Sequence, residues 1–195
     1  MIVELAMLDG SLQHNLFGLI SYSPKDVGVK VADATVVADE ETFLRQTDKW
    51  PVDAFVVGVG SIKGNDPVRA KLFYKFEDAG FTPLSLVHPS AIVSPHAIIG
   101  KGTVVMPGAI VNRGSIIGDN VIVNSGSIIE HDVTIGAHSH IAPGAVVCGG
   151  TSVGKNCLVG AGASVRQAIK IGDGATIGIG SRLYKNIAQD DTYTG

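Results

Sequence analysis

The hydrophobic pattern of this chain changes period near its middle. From Val87 a branched aliphatic recurs every sixth residue: Val93, Ile99, Val105, Val111, Ile117, Val123, Ile129, Ile135, Ile141, Val147, Val153, Val159, Val165, Ile171, Ile177 and Leu183, with no insertion. A period of six held this long fits neither an amphipathic helix nor ordinary hairpins. It marks a hexapeptide-repeat parallel β-helix. Four residues after each aliphatic stands a small or modest side chain, from Ala91 and Ala97 to Cys157 and Ala163, which suits a narrow three-sided coil. Three hexads make one 18-residue turn, and successive turns should stack about 4.8 Å apart, as strands do. The hexad Val165 to Lys170, "VRQAIK", lacks a glycine and carries Ile169 at the small position. Local distortion is expected there.

Residues 1–86 do not follow the sixfold rule. "NLFGLIS" and "DAFVVGVG" read as buried strands. "NDPVRAKLFYKFEDAG" predicts a helix with Asn65 or Asp66 as cap, Pro67 in the first turn and Gly80 as stop. "ADEETFLRQT" predicts a second, and "MIVELAMLDG" has the spacing of a third. Strand–helix alternation predicts a small α/β domain with a mostly parallel sheet, beginning with a helix where such a sheet ordinarily begins with a strand. The division is therefore an α/β domain over 1–86, a β-helix over 87–184 and a tail over 185–195. The loop "GVGSIKGND" joins a strand to a helix start, so Gly58, Gly60 and Ser61 are candidate contacts to a substrate phosphate. Lys63 occupies the place of the last glycine in G-x-G-x-x-G, which makes the motif incomplete.

Composition narrows the partners. With 45% hydrophobic residues, 25 glycines and a net charge of −3, the chain is globular and turn-rich, with no basic stripe for nucleic acid. No apolar run reaches the ~18 residues of a membrane span. Two cysteines, Cys148 and Cys157, make a poor disulfide framework, so a reduced, cytoplasmic protein is expected and neither thiol is expected to be catalytic.

Three of the six histidines fall in "EHDVTIGAHSH". A zinc site needs three or four converging ligands. In a stacked coil, vertical neighbours are 18 residues apart: Arg113 and Gly149 flank His131, Asn120 and Asn156 flank His138, Ile122 and Leu158 flank His140. No ligand cluster forms within one chain, and no metal is expected. His88, His96 and His138 read as solvated corner residues. His131 differs, with Glu130 before it and Asp132 after it; a carboxylate beside an imidazole orients it and stabilises the imidazolium formed on proton abstraction.

The run "NSGSIIEHDVTIGAHSHIAPGAVVCGGTSVGKNCLVGAGA", with "DAFVVGVG" and "VHPSAIVSP" before it, resembles the hexapeptide-repeat sugar acyltransferases. The nearest group is the sialic acid O-acetyltransferase and nucleotide-amino-sugar N-acetyltransferase (NeuD/PglD-like) family. The resemblance implies a left-handed β-helix behind an incomplete Rossmann-like α/β domain. It implies transfer of an acetyl group from acetyl-CoA to an amino or hydroxyl group of a nucleotide-linked sugar. By position, His131 matches the catalytic base, Asp132 its supporting acid and Asn124 a polar residue near the reacting centre. His140 matches a histidine contacting the acyl-coenzyme A, and Gly149 and Gly160 line the pantetheine groove. Sites between the subunits of a homotrimer are implied too. An outward aliphatic stripe (Ile110, Ile116, Ile122, Ile128, Val146, Leu158) supplies a surface to bury in such an assembly.

The chain departs from the family in lacking the G-x-G-G-H-G loop, in carrying "SYSPK" where paired aspartates hold the nucleotide, and in ending at "DTYTG". Both ends are read as trimmed. These departures favour a rival reading, a non-catalytic solenoid scaffold; the intact Glu130-His131-Asp132 and His140 oppose it.

Overall fold

The computed structural model describes residues 16–195; the helix expected in "MIVELAMLDG" lies outside them. Beyond Leu86 the chain is the expected prism. Two-residue strands, one per hexad, form three parallel sheets of seven, six and five strands. The first face carries Leu86–Val87, Val104–Val105, Ile122–Val123, His140–Ile141, Leu158–Val159, Thr176–Ile177 and Thr192–Tyr193. The second runs from Ile92–Val93 to Arg182–Leu183 and the third from Ile98–Ile99 to Lys170–Ile171. Partners such as Ile110↔Ile128 and Ile116↔Thr134 stand one 18-residue coil apart. The sixfold aliphatics point inward: Val105, Ile129, Ile141, Val147 and Ile177 are fully buried.

Serines and threonines at the small positions are equally buried, and several of their hydroxyls cap carbonyls of the next coil. Thr103 donates to Gly118 O at 2.7 Å, Ser115 to Glu130 O at 2.7 Å and Ser139 to Gly154 O at 2.8 Å. These three hydroxyls are thereby satisfied, whereas the buried Ser181 Oγ has no partner among the described residues. Cys157 does the same through Sγ to Gly172 O, and burial pushes its thiol up to about 11. It is an inert wall residue.

The "VRQAIK" hexad keeps its register, pairing Ser152↔Lys170 and Val153↔Ile171. What stands in for distortion is Ala168 at φ 55°, a left-handed corner that glycine would take at lower cost. The irregularity falls one coil later. Thr176 pairs Thr192, only sixteen residues on, so the last coil is two residues short. Residues 192–193 of the expected tail thus form the final strand of the first face.

The first half is less regular. β1 (Leu19–Ser21), β2 (Lys30–Val31) and β3 (Ala34–Asp39) form one sheet in the order β1-β3-β2, parallel then antiparallel. α1 (Glu40–Arg45) follows, capped by Asp39 Oδ1 on Thr42 N at 3.0 Å. β4 (Ala54–Phe55) pairs parallel with β5 (Thr82–Pro83) in a separate two-stranded sheet. Between them lies α2 (Pro67–Asp78), with Asp66 as cap and Gly80, at φ +95°, just past its end. A cluster of Phe43, Phe76 and Phe81, with Trp50 and Phe55 packed against it, forms this half's own core. The "DAFVVGVG" strand stops at Phe55, because the carbonyls of Val57 and Val59 turn away to meet Arg69.

This half covers the first face of the prism. Val56 and Leu84 pack against Leu86, Val104 and Met106; Gly64 N donates to Thr176 Oγ1 at 2.7 Å, and Asn65 N to Asn156 O at 2.7 Å. The aliphatic stripe must be corrected accordingly. Ile122 and Leu158 lie on the covered face and are buried, whereas Ile110, Ile128 and Val146 stay partly open on the second face. Ile116, on the third, is exposed.

Because the core is a single column of stacked aliphatics, Ile135→Ala should leave a cavity the neighbouring coils cannot close. Its expected cost is about 2–5 kcal/mol in chemical denaturation; a loss below about 1 kcal/mol would show that the coils collapse onto one another.

Candidate active site

Two clusters hold the candidate residues, on different edges of the prism. The first is the corner between the second and third faces. Asp132 adopts φ 57° there, a conformation aspartate tolerates, and this turns its carboxylate back toward the preceding residue. His131 Nδ1–H donates to Asp132 Oδ2 at 3.0 Å, and both side chains are more than half exposed. That contact leaves Nε2 as the basic nitrogen. Nε2 lies over Gly149, one coil up: a Cβ built there would sit 2.6 Å from it. Gly149 therefore makes room for the imidazole. Gly114, one coil down, does the same for Asp132, whose Oδ1 would stand 2.3 Å from an added Cβ.

The second cluster is on the first face and its edge with the second. His140 is buried, with Nδ1–H donating to Ser61 O at 3.0 Å and Nε2 accepting from Asn124 Nδ2 at 2.9 Å. Asn124 Oδ1 accepts from Ser125 N at 2.8 Å, so the amide's orientation follows. Gly60 packs beside the ring, 3.9 Å from His140 Cε1 if given a Cβ. Burial holds His140 below the ordinary imidazole range; the Ser61 carbonyl opposes this and the Arg69 charge adds to it. Gly60 and Ser61 thus join Asn124 and His140 in one cluster, which spacing alone did not show, while nothing lies within 4 Å of a Cβ built on Gly58. Gly160 lies on the same edge, where a Cβ would strike the backbone of Gly178. That edge also carries Gly108, Gly126, Gly144, Gly162 and Gly180, one per coil, all at positive φ with open space beside them. On the other edges Asn120, Asp132, His138, Asn156 and Ala168 take the same backbone angle. Glycine is not required for the angle alone; on this edge the glycines form a column of positions without side chains.

Within one chain His131 and His140 are not brought together, and Gly149 stands apart from Gly160. At the start of α2 the Asp66 carboxylate already accepts from Val68 N at 3.1 Å. Among the described residues no three of His, Cys, Asp and Glu converge as a metal site, and no helix is long and apolar enough to cross a membrane.

Comparison with known proteins identifies the family of this fold. The family described as bacterial transferase hexapeptide (six repeats) matches residues 114–149, and hexapeptide repeat of succinyl-transferase matches 150–185. The acetyltransferase domain of PglB from Neisseria gonorrhoeae is 32% identical over 98% of this chain and 90% of its own, with a TM-score of 0.84. The chain belongs to the hexapeptide-repeat sugar acetyltransferases. A perosamine N-acetyltransferase from Caulobacter crescentus, solved as a histidine-to-asparagine variant with CoA and GDP-perosamine, is 28% identical over 100% of this chain and 87% of its own, with a TM-score of 0.90. WeeI from Acinetobacter baumannii, 23% identical over 100% of this chain and 91% of its own, shares the fold with a TM-score of 0.84. No curated protein matches the sequence.

Two features escaped the sequence reading. His138 is not a solvated corner residue: it is buried between coil and α2, its Nδ1 accepting from Asn120 Nδ2 at 3.0 Å and its Nε2 meeting Tyr74 Oη at 3.0 Å. The signal was available as polar residues 18 apart at 120, 138 and 156. Arg69, fully buried beneath the loop, was not singled out; as a lone charge in line with Phe73 and Phe76 on the inward side of α2, it was visible in principle.

Burial, followed by the Arg69 charge, holds His138 below its ordinary 6.5; Lys155 adds to the effect and Asp119 opposes it. His140 is depressed likewise. Both are neutral in the fold, so below pH 6.5 the unfolded chain binds more protons than the folded one, and stability must fall as pH drops through that range. Melting temperature should decline from pH 7.5 to pH 5, and His138→Gln should flatten the slope. An unchanged slope would mean that His138 does not titrate on unfolding.

Proposed function

We propose that the protein transfers the acetyl group of acetyl-CoA to the amine of a nucleotide-linked sugar, with His131 as general base. The observation that carries this is the His131–Asp132 pair beside the side-chain-free backbone of Gly149. Acetyl-CoA supplies an already activated thioester, so no covalent enzyme intermediate is required. Asp132 holds Nδ1–H, which leaves Nε2 to take the proton released as the acceptor nitrogen bonds to the acetyl carbon. The same proton then goes to the departing thiolate sulfur as the carbon–sulfur bond breaks. Asn124 and His140, locked to each other and to Ser61, form the polar wall opposite. The glycine track leaves backbone and open space for an extended thioester arm, which fits CoA as the donor. The α/β half, through Gly58, Gly60 and Ser61, chooses the acceptor, and the solenoid does the chemistry.

Because the two clusters sit on different edges of one chain, the complete site forms between copies. A homotrimer in which the second faces meet buries Ile110, Ile128 and Val146 and brings the His131 corner of one chain to the His140 edge of the next.

His131→Ala should lower kcat by roughly 10²–10⁴-fold and leave the acetyl-CoA KM little changed. Near-normal turnover of this variant on every acceptor that supports the wild type would remove His131 from the mechanism. Light scattering should give a trimeric mass, and Ile128→Asp should lower it and abolish turnover together. A fully active monomer would refute the shared site.

A further inference from the structure

Arg69 is the least explained residue in the fold. It is 1% exposed, and among the described residues no carboxylate is one of its hydrogen-bond partners. Nη1 donates to Val57 O at 3.0 Å and to Val59 O; Nη2 donates to Asn120 O at 3.0 Å and to Asn120 Oδ1 at 2.6 Å. Asn120 Nδ2 returns a bond to Arg69 O at 3.2 Å. Two acceptors are thus in the loop after β4 and two are on the solenoid corner. A guanidinium buried without a counter-charge is expensive, and an apolar side chain of similar volume would commonly be as stabilising. An apolar side chain could not set the direction of carbonyls. The planar fork can, and it sets them on both sides of the junction.

The loop's geometry follows from this. The carbonyls of Val57 and Val59 face the guanidinium, and that of Ser61 faces His140 Nδ1. With alternate carbonyls turned inward, the loop is held at two points by Arg69 of α2, itself anchored on Asn120 of the solenoid, and at a third by His140. Gly58 is left with open space on its other side, and Gly60 meets only the His140 ring.

We propose that Arg69 is a positioning residue for acceptor binding: its guanidinium holds residues 57–61 at a fixed height over the first face, so that loop and solenoid present the acceptor with one rigid surface. This rests on the reading that the loop contacts the acceptor, but its primary test does not.

The test is hydrogen exchange by mass spectrometry on the full-length protein without substrate, alongside steady-state kinetics. Arg69→Lys retains the charge and removes the fork. Loop peptides spanning 56–65, in which the Gly64 and Asn65 amides donate to the solenoid, should exchange at least about tenfold faster, with peptides from the solenoid core unchanged. The acceptor KM should rise by roughly 10–100-fold while the acetyl-CoA KM stays within about twofold. If melting temperature falls but loop exchange and acceptor KM do not move, Arg69 is only a staple and the proposal is wrong. Should Arg69→Lys fail to fold, the Asn120 pair decides. Asn120→Ala removes the side-chain one of the two solenoid-side acceptors and should loosen the loop in the same direction, while Asn120→Asp keeps a side-chain acceptor at a left-handed position and should restore protection. Equal loop exchange in the two would overturn the proposal. If the wild type acetylated no sugar at all, the acetyltransferase reading would fall, and exchange would still decide the role of Arg69.

Discussion

Everything in this molecule depends on successive coils stacking 18 residues apart. Each strand pairs only two residues per neighbour, too few to hold alone. Stability comes from the column of Val, Ile and Leu that stacking places on the axis. A slip of one residue would turn every aliphatic outward and every polar residue in, so the register is strongly specified. The corners then carry the cost, because each coil must reverse direction at residues with left-handed backbone angles. Glycine, Asn120, Asp132, His138, Asn156 and even Ala168 meet that demand. The candidate residues His131, Asp132 and Asn124 sit at these same corners, where side chains leave the prism at an angle that the backbone dictates.

The α/β half enters as a consequence. A bare prism has three faces to cover, and the first is covered by residues of the same chain through the Arg69–Asn120 junction, the His138–Tyr74 contact and the Ser61–His140 bond. Covering that face leaves the second as the partly open aliphatic one. It also makes His140 a neutral, buried imidazole whose two nitrogens are both engaged, while His131 stays solvated with one nitrogen available. Two histidines nine residues apart in sequence thereby acquire opposite characters.

The glycines divide by physical role in the same way. Gly149 and Gly114 are small because side chains from adjacent coils lie over them; Gly160 is small because the next coil's backbone does. The glycine track between the first and second faces is small where nothing in the chain approaches, which leaves room for a molecule from outside it.

By itself the sequence determined the solenoid, its period, its inward residues and the His131–Asp132 pairing, because a strict repeat converts position in the chain directly into position in space. It determined α2 and its caps for a similar reason: Asp66, Pro67 and Gly80 act within a few residues of themselves. Only the tertiary structure decided which face would be covered, that His138 and His140 would be buried, that Ile122 and Leu158 would leave the exposed stripe, and that β4 would end at Phe55. Each of these follows from contacts between residues far apart in sequence, Arg69 with Asn120 and Ser61 with His140 above all. No local propensity or repeat spacing encodes where two separately folded surfaces will meet.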